Sequence, residues 1–167
     1  MSLKPLKDFK DKKRELKILI LGPYRPPPAL QRLETLRDCL INRKFNQVKL
    51  AKDFPDEIEY NEDLDIYFTK KSYRLIEEWA HVPVFIFLKN GDNTGVTSEL
   101  IHLCESVKTK VPYALVLVER KLKLSSLISG PIKIQKISSE SFKDDEELCN
   151  LAYGHCINAL YRLYYYI

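Results

Sequence analysis

Only five glycines, four cysteines, three histidines, one methionine and one tryptophan occur in the 167 residues. Each scarcity excludes something. So few glycines leave no room for the glycine-rich phosphate loops of Walker or dinucleotide type, and the spacing after the first apolar run, "GPYRPPP", matches neither. Cys39, Cys104, Cys149 and Cys156 sit in helix-like segments at spacings that match no zinc pattern, so no metal site is expected. No hydrophobic signal precedes them, and a reduced, cytoplasmic protein is the expectation. The longest apolar runs, "ILILG" and "VPVFIFL", fall far short of the roughly 18 to 20 residues of a membrane span. Charge of one sign is also missing: 27 basic against 23 acidic residues leave +4, too mild an excess to steer the chain to nucleic acid.

What is present fits one domain with a single core, 45% of the residues being hydrophobic. The first 15 residues, rich in interleaved lysine and acid, read as a charged, solvated arm, with residues 16–167 as one α/β domain. "LKILILG" is a continuous apolar run stopped by Gly22 and Pro23, the pattern of a strand buried on both faces. Pro28 suits the first turn of a helix in which Leu30, Leu33, Leu36, Leu40 and Ile41 recur at helical spacing. "QVKLA" is a short second strand, followed by an acidic loop with seven carboxylates in the thirteen residues from Asp53 to Asp65.

A helix from Asp63 to Ala80 is expected to turn Leu64, Phe68, Leu75, Ile76 and Trp79 inward, and "VPVFIFL" is strand three. "TSELIHLCESV" is the next helix, "YALVLVE" strand four, "KLKLSSLISG" a short helix or turn, and "IKIQKI" an edge strand five. Residues 144–166 close the chain as a long helix, whose surplus tyrosines in "YRLYYYI" suggest a subunit contact. The alternation predicts a doubly wound three-layer α/β sandwich with a five-stranded parallel sheet, flavodoxin-like or Rossmann-like.

In such sheets ligands bind beyond the carboxyl ends of the strands, where strand order reverses. Gly22, Gly91 and Gly95, three of the five glycines, fall in the loops after strands one and three, where they allow close backbone approach or positive φ. "NGDNTGVTSEL" also runs into a helix N-terminus, which favours an anion. Ser98 or Thr97 is expected to cap that helix, leaving Glu99 as either an ordinary first-turn acid or a functional carboxylate. Arg25, just past the first turn, is a candidate phosphate clamp, and His102 could share a helix face with Glu99.

"KILILGPY" followed by helix, strand, helix, strand and "NGDNTGVTSELIHL" resembles the nucleoside 2-deoxyribosyltransferase family, which includes nucleotide N-glycosidases, and more remotely TIR-like hydrolases. The resemblance spans roughly residues 17–120 and implies a nucleoside or nucleotide substrate, no cofactor and assembly as a homo-oligomer. It implies that Glu99 is a nucleophile attacking the anomeric carbon. Asp92 then lies near the family's loop aspartate, Gly22, Pro23 and Tyr24 line the sugar pocket, and Gly91, Gly95, Ser98 and Arg25 are further substrate contacts. Three departures stand out: Val96 replaces the usual threonine, Asp92 is one residue further from the glutamate than the family pattern asks, and "AHVPV" holds no aspartate before strand three. His81 is the residue there whose pKa could suit acid/base work.

Overall fold

The computed structural model describes residues 4–165. Five parallel strands form one sheet in the order β2-β1-β3-β4-β5. They are β1 (Lys17–Leu21), β2 (Gln47–Leu50), β3 (Val82–Phe87), β4 (Leu115–Glu119) and β5 (Ser138–Phe142). The helices are α1 (Lys4–Glu15), α2 (Pro27–Asn42), α3 (Leu64–Arg74), α4 (Thr94–Ser106), α5 (Ser126–Gln135) and α6 (Asp145–Tyr164). The fold is the doubly wound three-layer sandwich that the alternation of apolar runs predicts. Order reverses between β1 and β3, which pair directly from Ile18 opposite Val82 to Leu21 opposite Phe85. In folds of this kind ligands bind beyond that point, which here lies past Leu21 and Phe87.

Strand periodicity divides the core. Ile18, Ile20, Val84 and Ile86 face the layer holding α2 and α6, whereas Leu19, Leu21, Phe85 and Phe87 face the layer of α4 and α5. Every residue of β3 is buried, as a central parallel strand requires. Truncating a fully buried ring such as Phe85 to alanine would cost about 3 to 5 kcal/mol.

Four elements depart from expectation. The basic N-terminus is not a free arm: from Lys4 it is helix α1, with Phe9 packed on Tyr161 at 5.4 Å between ring centroids. In α3, Leu64 and Phe68 are 52% and 46% exposed, while Tyr67 and Lys71 turn inward. The cause is a π-turn over Leu75–Trp79, closed by Ala80 N–H donating to Leu75 O, which slips the helical phase by a residue. "IKIQ" ends α5 despite Pro131, and the edge strand is "SSESF", of which only Phe142 is buried. The fourth concerns thiols: Cys39 of α2 and Cys149 of α6 form a disulfide with Cα atoms 6.5 Å apart, so only Cys104 and Cys156 are free. No helix among the described residues is long and apolar enough to cross a membrane.

Candidate functional site

Two loops meet at the β1/β3 reversal point and are bonded to each other. Asp92 N–H donates to Arg25 O at 2.9 Å. Gly91 is pressed onto Pro23 so closely that a Cβ there would sit 2.5 Å from Pro23 Cγ, and a Cβ on Gly22 would meet Leu33 Cδ2 at 2.8 Å. These glycines are required by loop-to-loop and loop-to-helix packing. None adopts positive φ among the described residues, contrary to that part of the sequence expectation. Asn93 closes the second loop with both ends of its amide: Leu88 N–H donates to Oδ1 at 3.1 Å and Nδ2 donates to Leu88 O at 2.9 Å.

The helix behind this loop begins at Thr94, three residues earlier than "TSELIHL" suggested, so neither Thr97 nor Ser98 caps it. Thr97 Oγ1 donates to Asn93 O, and Ser98 Oγ is in a short hydrogen bond with the Tyr73 hydroxyl of α3. Asp92 receives the first turn instead, its Oδ1 accepting from Thr94 N–H at 3.2 Å and Thr94 Oγ1 at 2.7 Å. Those bonds, helped by Arg25 nearby, hold the Asp92 carboxyl below its ordinary range. Asp92 is exposed and ionised, and Arg25 is exposed beside it.

Glu99 is different. Because Cβ vectors on a helix tilt toward its N-terminus, its side chain lies back over the preceding turn, and Oε1 is 3.9 Å from where a Gly95 Cβ would stand. Burial pushes the Glu99 carboxyl up to about 8, with a hydrogen bond from Ser72 of α3 pulling the other way. Its neighbour is Tyr24, whose hydroxyl accepts from Lys52 N–H at 3.2 Å. Burial first, and then the Glu99 and Asp53 charges, push Tyr24 up to about 12. Tyr24 is 36% exposed, with its hydroxyl held at the turn after β2. Asp53 in that turn is bound by Arg37 at 2.8 and 3.0 Å and by Leu50 N–H at 2.9 Å, and it stays charged. Burial works against those bonds, yet its carboxyl remains below the ordinary range.

Of the catalytic candidates, His81 is not brought to Glu99. His81 lies at the amino end of β3, where Nδ1 accepts from Lys17 N–H at 2.9 Å and its own N–H donates to Lys17 O. A six-residue strand at about 3.3 Å per residue separates it from the Glu99 loop by roughly 20 Å. It is a strand-end anchor, with burial and then the Lys17 and Lys110 charges lowering its pKa. His102 faces away as well. It stacks on Tyr73 at 3.9 Å and meets Glu77 Oε1 at 2.6 Å, lining a surface groove of about 380 Å³ with Thr94, Ser98 and Ile101. Glu99 does not line that groove.

Sequence reasoning missed Ser72, Asn93 and Asp53. Asn93 between two glycine turns carries a readable turn signal, whereas Ser72 is one polar residue in a polar helix and carries none. No group of three or more histidine, cysteine or acidic side chains among the described residues could hold a metal ion. Fold and site together define a doubly wound α/β domain with a half-buried glutamate, its pKa raised by burial, at its topological reversal point. No protein-family model matches the chain, and comparison with curated proteins finds no relative.

Proposed function

We propose that the protein is an N-glycosyl hydrolase or transferase acting on a nucleoside or nucleotide, with Glu99 as nucleophile and Tyr24 in the sugar pocket. The supporting observation is the placement of the half-buried Glu99 carboxyl over Gly95, within electrostatic reach of Tyr24, beyond the β1/β3 reversal point. Ionised Glu99 attacks C1' of the sugar while the C1'–N bond breaks, and its electron pair leaves with the base, which takes a proton from solvent. Water, or the ring nitrogen of a second base, then attacks C1' and releases the carboxylate, so that one proton is returned and no oxidant is needed. A carboxylate in a poorly hydrated site stabilises the developing positive sugar more than one in water would. On this reading the protein acts on a small-molecule substrate, needs no cofactor and assembles as a homo-oligomer; the Cys39–Cys149 disulfide goes against the reduced, cytoplasmic setting expected from the sequence. Incubation with a panel of deoxynucleosides and their 5'-monophosphates, with free base followed by chromatography, tests it. Base release by wild type and none by Glu99→Ala is expected; equal release by both rejects the role of Glu99.

A second reading, a non-catalytic nucleotide-binding domain, is favoured by one observation. His81 is anchored to Lys17 at the far end of β3 from Glu99, and Asp92 Oδ1 is taken up by Thr94. It predicts a nucleotide-dependent rise in melting temperature with no base released.

A further inference from the structure

Two exposed surfaces at opposite ends of the sheet carry opposite charge. The segment that leaves edge strand β2 and enters α3 has seven carboxylates and no basic residue between Asp53 and Asp65. Two of them are neutralised, Asp53 by Arg37 and Asp56 by Lys71. The other five form no ion pair among the described residues. Set among them are Ile58, Tyr60, Leu64, Ile66 and Phe68, all exposed, Tyr60 to 95%.

The segment that leaves β4, forms α5 and enters the other edge strand, β5, is the converse. From Arg120 to Lys136 it has five basic residues and no carboxylate. All five are exposed and unpaired among the described residues. Leu127 and Ile134 stand out of the same helix, 77% and 79% exposed. Helices α3 and α5 flank α4 on one face of the sheet, so the patches point outward from the two ends of one layer.

Single exposed apolar residues are ordinary, but apolar clusters rimmed by charge mark interaction sites. Here each patch is the chemical complement of the other. We infer that the occupant of each is a second copy of this chain, the acidic α3 end of one molecule docking on the basic α5 end of the next. The contact is heterologous: different surfaces meet, and each contact leaves the basic patch of one molecule and the acidic patch of the other free. Such contacts close into a ring if the rotation between neighbours permits and otherwise grow as a filament. This contact does not involve Glu99 and stands or falls apart from any glycosyl chemistry.

Sedimentation velocity on the full chain over a range of concentrations is the test. Wild type should self-associate, and its apparent dissociation constant should rise about tenfold or more when salt is raised from low to several hundred millimolar, because exposed charge pairs are screened. Leu127→Ser with Ile134→Ser removes the apolar anchors of one patch, and Tyr60→Ser with Phe68→Ser those of the other. Each double variant should be monomeric, with an unchanged melting temperature showing that it is folded. Mixed together they should form a 1:1 complex, since each supplies the surface that the other lacks. A monomeric wild type, association that survives both changes, or a mixture that stays monomeric while wild type assembles would each overturn the inference. Heterotypic recovery is the outcome peculiar to a head-to-tail contact.

Discussion

Replacing Glu99 with glutamine should change how stability depends on pH, and the size of the effect follows from burial. The folded carboxyl holds its proton up to about pH 8, whereas the ordinary glutamate value is 4.5. Between those values the folded chain binds one proton more than the unfolded chain at this site. Stability therefore falls as pH rises, with a limiting slope of about 1.4 kcal/mol per pH unit. From pH 5 to pH 7 the wild type should lose about 2 to 3 kcal/mol through Glu99 alone. His81 and His155 act with the opposite sign, because burial depresses both and their contribution is lost as pH falls. Subtraction removes them: urea unfolding of wild type and Glu99→Gln at pH 5, 6 and 7 gives a difference that isolates the carboxyl. The variant should gain on wild type by about 1 kcal/mol or more per pH unit across that range. Parallel curves would refute the reasoning, since a hydrated Glu99 would titrate alike folded and unfolded.

Three further outcomes follow from the geometry. Gly91→Ala should destabilise the fold by about 1 to 3 kcal/mol, measured by thermal unfolding, because the new methyl must push Pro23 away and separate the two loops. Titration of thiols in denaturant without reductant should find two per chain, Cys104 and Cys156; four would mean that Cys39 and Cys149 are not joined. If Glu99 must be ionised to attack, kcat/KM for base release should rise with pH and level off above about 8, and a falling profile would assign it the role of acid instead.

How much of this was legible in the sequence depended on burial. β1 and β3 are enclosed on both faces, so selection for apolar side chains wrote them as unbroken runs, and their loops could be placed at the reversal point. β5 lies at the edge with four of its five residues exposed, and nothing in "SSESF" marks a strand except the sheet beside it. The neighbouring "IKIQ" carries a strand-like alternation but is held as helix by Ile132 in the α4 and α5 layer. In α3 a single π-turn shifts the inward face, and no local signal announces that shift. At the site, the chain order located Glu99 and the Gly22–Tyr24 turn. It also put His81 before strand three, at the end away from Glu99, and the structure shows that the strand between them runs the full depth of the sheet. It could not join Cys39 to Cys149, separated by 110 residues and united only when α2 packs on α6.

The most direct test of the proposed chemistry is capture of its intermediate. A 2'-fluoro-arabinosyl nucleoside, whose fluorine slows the second displacement, should leave one sugar on the protein by intact mass. Digestion should place that adduct on the peptide containing Glu99, and Glu99→Gln should carry none. Release of base with the adduct on another residue, or with the same adduct on the variant, would contradict the assignment of Glu99 as nucleophile.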